Sequence, residues 1–242
     1  MIINSILILI LIAIAVYLLF FNKSDFDYFI VDLERQKLEL FWKDENGDRY
    51  GSIPRLRASC KHKNKELMFA INSGMFNSDE VPIGLHKEKD EVLVPLNLDA
   101  STGDFYLKPN GVFYVEKCMG SIINSVHFNT GKKVEFAVQS GPMLVENGEI
   151  NPQLDDFSAK NRVVRSGVGI LSATKVVFAI SRGRTTFLRF AEFFRDNMHC
   201  QNALYLDGSS SNMYIKGKRD ETSADSADNL AGIFGVTQIR RN

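Results

Sequence analysis

The chain has 242 residues, and its 29 basic and 29 acidic side chains give a formal net charge of zero at neutral pH. This balance provides neither a basic face for nucleic acid nor an acidic solvating tail, so we expect no nucleic-acid partner. The three cysteines lack Cys-x-x-Cys spacing, which argues against a disulfide framework and a zinc site. The histidines show no ligand spacing either, so we predict no metal and no cofactor.

The N-terminal residues differ in composition from all that follow. The run from Ile6 to Phe21 carries no charge and is close to the length of a bilayer-spanning helix. A cleavable signal peptide has a shorter apolar core and a small-residue cleavage site after it, whereas the Ala-x-Ala at 13–15 lies inside the run. We therefore predict an uncleaved signal-anchor over residues 1–27 and one domain over residues 28–242. Lys23 alone leaves the orientation poorly specified.

Short apolar or alternating runs, typical of β-strands, recur through the first half of the domain. They are Phe29–Asp32, Leu38–Trp42, Leu67–Ile71, Val92–Leu96, Gly111–Val115, Ile122–Val126 and Glu135–Val138. Asn-Gly pairs beginning at Asn46, Asn110 and Asn147 predict tight turns between strands. On this pattern at least six strands precede the first helix.

The second half continues with strands and one amphipathic helix. Residues 166–171 and 175–180 predict a hairpin, and Thr185 or Thr186 can cap the helix that follows. The helix is indicated by apolar residues at three- and four-residue spacing: Phe187, Phe190, Ala191, Phe194 and Met198. Many strands with few helices predict an α+β class, a mixed β-rich single domain that follows one N-terminal transmembrane helix.

Polar residues follow two of the apolar strands directly. Leu67–Ile71 leads into Asn72-Ser73-Gly74, and Ala203–Leu206 leads into Asp207, Gly208 and three serines. Polar groups on a loop held by a rigid strand commonly form binding sites. Asp, Gly and Ser are also ordinary turn residues, so a simple hairpin turn remains an alternative.

Four blocks occur in order: AINSGMF at 70–76, QSGPMLVENGEI at 139–150, RSGVGI at 165–170 and ALYLDGSSSNMYI at 203–215. Together they resemble the phosphodiester glycosidase family, and most closely its small membrane-anchored or exported bacterial members. The resemblance implies a hydrolase that cleaves the bond between an anomeric carbon and a phosphate in cell-envelope glycans or glycophosphates. It also implies a domain that faces the periplasm or the cell exterior.

Cleavage at an anomeric carbon passes through an oxocarbenium-like state and needs a carboxylate and a phosphate-binding cation. We assign Asp207 as base, nucleophile or sugar-hydroxyl anchor, and Arg165 as a bidentate phosphate ligand. Asn72 suits a pair of sugar hydroxyls, although it can also close an Asx-turn. Arg165 could instead be a surface residue paired with Asp155 or Asp156.

Neighbouring residues complete the predicted carbohydrate or glycophosphate site. The substrate-binding candidates are Gly74, Ser140, Gly141, Gly208, Ser209, Ser210, Ser211 and Arg182. The glycines would allow backbone to approach the ligand, or they serve turns alone. The family often has glycine where this chain has Ser73 and Ser209, which could narrow the pocket. A non-catalytic glycan-binding protein and a polysaccharide-assembly factor therefore stand beside the hydrolase as alternative functions.

Overall fold

The computed structural model describes residues 24–154, 161–208, 210–220 and 229–240. The apolar run that we predict to be an anchor falls outside these residues. Across the described ranges no helix is both long enough and apolar enough to span a bilayer.

The described part is built mainly from β-strands, which we number in chain order. They are β1 (Phe26–Asp32), β2 (Leu38–Phe41), β3 (Lys65–Asn72), β4 (His86–Glu88), β5 (Glu91–Val94), β6 (Gly111–Glu116), β7 (Met119–Asn124), β8 (Phe136–Ser140), β9 (Met143–Glu146), β10 (Glu149–Ile150), β11 (Ser166–Ser172), β12 (Lys175–Ser181), β13 (Ala203–Asp207), β14 (Met213–Ile215) and β15 (Ile233–Ile239). Two α-helices join them, α1 (Ile53–His62) and α2 (Phe187–Glu192), and α2 continues as a wider π-helical turn over Phe193–Asn197.

The strands form three sheets, and their neighbours pair antiparallel. The first sheet has the order β1-β12-β11-β13-β9-β10, the second β14-β3-β15-β2, and the third β5-β4-β8-β6-β7. Strands that are neighbours in space are often distant in sequence, so the sheets interlock the two halves of the chain. The α+β, β-rich class predicted from the sequence is confirmed.

One aromatic cluster joins the three sheets in a common core. Phe178 of the first sheet, Phe234 of the second and Phe113 of the third are all fully buried. Their ring centroids lie 5.4 Å apart for Phe178–Phe234 and Phe113–Phe234, and 5.9 Å apart for Phe113–Phe178. Aromatic pairs at this spacing add to the stabilisation from apolar burial, so the sheets pack as one body.

The opposite face of the first sheet carries α2, and two glycines of β11 allow the contact. A Cβ built on Gly167 would lie 3.0 Å from the Phe190 ring, and one on Gly169 would lie 2.7 Å from Phe194. The helix begins where Thr186 Oγ1 accepts a hydrogen bond from Arg189 N at 3.2 Å, which confirms the predicted cap. The glycines of the RSGVGI block therefore serve helix packing.

Two expectations from the sequence are wrong. Only β1 and β2 precede α1, so the prediction of at least six strands before any helix fails. Ser52 caps α1 and Pro54 stands in its first turn, which is the local pattern of a helix start. Asn110-Gly111 is not a hairpin turn, because Gly111 is the first residue of β6 and Asn110 is buried. Asn147-Gly148 does form a turn, with φ of 53° and 83° between β9 and β10.

Candidate active site

Polar residues at four strand ends meet where the three sheets come together. Asn72 ends β3 of the second sheet, and Ser140 ends β8 of the third. Ser166 opens β11 and is paired across the first sheet with Asp207, the last residue of β13. All four are buried, so the junction is a polar cluster inside the fold.

Asn72 is the hub of this cluster. Its Nδ2 donates to Ser166 Oγ at 2.9 Å, and its Oδ1 accepts from the backbone N–H of Asn212 at 3.2 Å. Ser166 Oγ in turn donates to the backbone carbonyl of Asp207 at 3.2 Å. Both functions of the Asn72 amide are therefore engaged inside the protein, and they tie β3 to the loop that follows Asp207.

The Asp207 carboxyl has the most strongly shifted pKa of the carboxyl groups in the described part. The residue is 7% exposed, and burial raises the pKa of this carboxyl to about 7. The charge of Asp104 acts in the same direction, whereas the backbone N–H groups of Gly208 and Ser210 oppose it. A carboxyl with this pKa exchanges protons readily near neutral pH.

Arg165 is fully buried, and most of its guanidinium is engaged. Nε donates to the carbonyl of Thr185 at 3.2 Å, and Nη2 donates to that of Asn161 at 2.7 Å. Nη1 lies 3.8 Å from Asp104 Oδ2 and has no hydrogen-bond partner among the described residues. The two-pronged fork expected to bind phosphate is therefore occupied, and a single corner remains. The alternative partners at 155 and 156 fall outside the described residues.

Two further groups belong to this cluster, and neither was predicted from the sequence. Asp104 stands on a short helical turn with 24% of its side chain exposed, and burial raises its pKa against the opposing charge of Arg165. Tyr205 precedes Asp207 by two positions on β13, and burial raises the pKa of its hydroxyl well above the usual value. Alternation along the strand could have indicated Tyr205, whereas no motif surrounds Asp104.

The remaining predicted residues mainly hold the strand ends in place. Ser140 Oγ donates to the carbonyl of Leu206 at 3.0 Å, and Ser211 Oγ donates to that of Asp207 at 2.7 Å. A Cβ on Gly141 would lie 2.5 Å from Asn110 Cβ, and one on Gly208 would collide with the Tyr205 hydroxyl.

Two predicted positions remain, Gly74 and Ser209. A Cβ on Gly74 would lie 3.3 Å from Val138 Cγ1. Gly74 and Gly141 thus face packed protein atoms. Ser209 falls outside the described residues.

Arg182 lies apart from the cluster. Its Nη2 is 2.9 Å from Asp27 Oδ1, and Arg219 reaches the other oxygen of the same carboxylate at 2.6 Å. These guanidinium groups hold the pKa of Asp27 below its usual value although burial opposes them. Arg182 therefore contributes to an ion-pair network on β1.

Comparison with known proteins places the chain in a family. The model of the family described as "Phosphodiester glycosidase" matches residues 65–237, which is more than half of the sequence. The chain belongs to the phosphodiester glycosidase family. It is thus a hydrolase that acts on phosphodiester-linked sugars. The matched part runs from β3 into β15 and contains Asp104, Arg165 and Asp207.

One curated relative and two solved structures are similar to this chain. The chain of this phosphodiester glycosidase is 36% identical over 189 residues to "Uncharacterized protein YigE" of Escherichia coli K12, covering 78% of this chain and 74% of that protein. Its fold resembles the catalytic domain of a zebrafish N-acetylglucosamine-1-phosphodiester alpha-N-acetylglucosaminidase, with a TM-score of 0.55, 14% identity and coverage of 89% and 84%. A hypothetical protein from Synechocystis has a TM-score of 0.54 and 15% identity, with coverage of 89% and 59%.

Within the described part of this phosphodiester glycosidase, no group of three or more His, Cys, Asp or Glu side chains is placed to hold a metal ion. All three cysteines are free, with Cys118 exposed and the others buried. The chemistry that the described residues offer is that of the buried Asp207 carboxyl, with Asp104 nearby and Arg165 3.8 Å from Asp104.

Proposed function

We propose that this phosphodiester glycosidase hydrolyses a sugar 1-phosphodiester of cell-envelope glycans or glycophosphates, with Asp207 as the proton-transferring group. The observation that carries the proposal is the buried carboxyl of Asp207, whose pKa is raised to about 7 at the junction of the three sheets. Strongly perturbed carboxyls next to a specific charge partner are typical of catalytic sites. The family membership supplies the reaction class.

The leaving group of this reaction needs little general-acid catalysis. The bond between the anomeric carbon and the phosphate oxygen breaks with its electron pair on the phosphate, which is already a stable anion. A water oxygen forms the new bond to the anomeric carbon, and its proton must be removed as positive charge develops there. Ionised Asp207 takes this proton, and its raised pKa makes it a stronger base than an ordinary aspartate.

In this proposal Asp104 and Arg165 assist Asp207 by contacting the charged parts of the substrate. We assign Asp104, whose side chain is partly exposed, the stabilisation of positive charge at the anomeric centre. Nη1 of Arg165 is the corner that has no hydrogen-bond partner among the described residues, and we assign it a single contact with the phosphate. We assign Asn72 a structural role beneath the site rather than a sugar contact, because its side chain already donates to Ser166 and accepts from the Asn212 N–H.

The test is hydrolysis of an α-N-acetylglucosamine 1-phosphodiester in water labelled with ¹⁸O. That sugar is the first choice because the zebrafish protein is described as acting on it. Release of free sugar carrying the label, with unlabelled phosphate monoester, is the expected outcome. Label in the phosphate together with sugar 1-phosphate as product would show cleavage of the other ester bond. Binding of the diester without turnover would support the glycan-binding alternative.

We also propose that the apolar run from Ile6 to Phe21 anchors the protein as a single-pass membrane protein, with the domain facing the periplasm or the cell exterior. The uncharged length of the run and the absence of a following cleavage site support this. Mass spectrometry should find the native N-terminus, and a mature terminus near residue 25 would show cleavage. A reporter protein that is active only in the cytoplasm should be inactive when it is fused after Asn242.

A further inference from the structure

Exposed arginines gather around the first residues of the described chain. Ser24 and Asp25 line a surface cavity of about 450 Å³ together with Arg162, Arg182, Arg184 and Arg189, all of them exposed. We call this the arginine cavity. It lies at the end of β1 where the polypeptide enters the domain.

The positive charge of the arginine cavity is only partly compensated. Arg182 is paired with Asp27, and Arg189 lies 3.4 Å from Glu192 and 3.9 Å from Asp25. Arg162 and Arg184 form no ion pair with any residue that the structure describes. The Nε of Arg184 donates to a backbone carbonyl at 2.7 Å, which directs this side chain along the cavity wall.

The covalent chain limits how far this cavity can lie from the apolar run. Three peptide units connect Phe21 to Ser24, so these residues are separated by at most about 11 Å. The headgroup layer on each side of a bilayer is about 5–7 Å thick. If the apolar run ends at the edge of the hydrocarbon core, Ser24 stands at or just beyond the headgroups, and the arginines stand with it.

We propose that the arginine cavity docks the domain on the headgroups of anionic phospholipids in the membrane that holds the apolar run. The proposal rests on the membrane anchor proposed above. Guanidinium groups bind phosphate oxygens in a bidentate manner, and Arg162 and Arg184 have their charge available for such contacts. Each cation close to an anionic membrane surface strengthens binding about five-fold. Docking would fix the orientation of the domain, so that its active site meets substrates at the membrane surface in one defined pose.

The experiment measures how close this face lies to the bilayer in the full chain. Gly183 is exposed and a side chain there meets no atom within 4 Å, so Gly183→Cys in a Cys118→Ser background accepts a fluorophore at the cavity. Native Cys118 labels the far end of β1, because it lines a cavity with Leu33 and Glu34. Both labelled proteins are reconstituted in vesicles of phosphatidylcholine, with or without about one third phosphatidylglycerol, that contain a headgroup quencher.

We expect the label at 183 to be quenched more strongly in the anionic vesicles, and 0.5 M salt to reverse the difference, because the screening length is then about 4 Å. Arg162→Gln with Arg184→Gln should lower the ratio of docked to undocked protein about 20-fold. The matched control, Lys61→Gln with Lys133→Gln, removes the same charge at two exposed lysines elsewhere and should change nothing. The Cys118 label should remain unquenched throughout.

Three outcomes would overturn the inference. Equal quenching at 183 in neutral and anionic vesicles, with the protein floating with both, would retain the anchor and reject the docking. Loss of the quenching at 183 on addition of 10 mM inorganic phosphate at constant ionic strength would instead show that the cavity is a discrete phosphate site. A protein that floats with neither kind of vesicle would reject the anchor and the docking together, while the hydrolase assay, which uses a soluble diester, would be unaffected.

Discussion

Asn72 and Asp207 occupy equivalent places in two sheets, yet their surroundings have opposite consequences. Each is the last residue of a buried strand, and each contacts Ser166, the first by its side chain and the second by its carbonyl. The amide of Asn72 has a donor and an acceptor, and both find partners inside the protein. The Asp207 carboxyl can accept hydrogen bonds but remains poorly solvated, so its pKa rises to about 7.

The difference illustrates how the surroundings of a polar residue at a strand end decide whether its side chain is hydrogen-bonded or has a shifted pKa. A neutral amide whose donor and acceptor are both hydrogen-bonded inside the protein stabilises the fold. A buried carboxylate without a paired cation is costly in its charged form, and that cost is what makes the group a useful base near neutral pH. The two residues should therefore respond to mutation in opposite ways.

The largest effect is expected for Asp207→Asn on turnover. The substitution keeps the shape of the side chain and removes the titrating group, so kcat/KM for the diester should fall about 10²- to 10⁴-fold. Asp196→Asn, at an exposed aspartate paired with Arg195, is the control and should leave turnover unchanged. Sugar release per folded molecule is the measurement. A decrease of less than ten-fold would mean that Asp207 is only a turn residue.

Asn72→Ala should act mainly on stability. It removes the donor to Ser166 and the acceptor of the Asn212 N–H, and we expect the free energy of unfolding to fall by about 2–4 kcal/mol. The exposed Asn129, whose side chain accepts from Gly131 N, provides a control, since its alanine variant should lose less than about 1 kcal/mol. Turnover per folded Asn72→Ala molecule that dropped as far as in Asp207→Asn would assign the amide to the substrate after all.

The raised pKa of Asp207 also predicts how stability depends on pH. Because the folded state holds this proton more tightly than the unfolded chain, the group favours folding most below its unfolded pKa near 4, and this contribution is lost as pH rises to about 7. Asp207→Asn lacks the effect. Its free energy of unfolding relative to the unmutated protein should therefore increase by about 2–3 kcal/mol between pH 5 and pH 8. Urea titrations at the two pH values measure it, and a constant difference would show that the carboxyl is not perturbed.

The smallest effect concerns the neighbouring carboxyl. Asp104 contributes to the raised pKa of Asp207, although less than burial does. Asp104→Asn should therefore move the acidic limb of the pH profile of kcat/KM to lower pH, an effect on the order of 1 kcal/mol at most. The measurement is the pH at the midpoint of the acidic limb, not the maximum of the profile. An unchanged midpoint would show that the charge of Asp104 does not influence the pKa of Asp207.

Local patterns in the sequence were enough for much of the fold. Apolar runs bounded by turn residues identify most strands because a strand buried on one or both faces needs those side chains. The Asn147-Gly148 turn and the Thr186 cap follow from backbone preferences of a few residues. Helix α1 was missed although Ser52 and Pro54 mark its start, since the basic residues between its buried positions obscure the apolar face.

The sequence by itself determined the β-rich class, the four ordered family blocks and the placement of Asp207 at the end of a strand. Only the tertiary structure decided the burial and the contacts of Asp207, Arg165 and Asn72. The burial of Asp207 and the nearby charge of Asp104 depend on residues distant in sequence. The same holds for the hydrogen bond between Asn72 and Ser166, which are 94 positions apart. A pKa and a hydrogen-bond partner depend on the solvent and charges around a group, and these exist only once the three sheets have packed together.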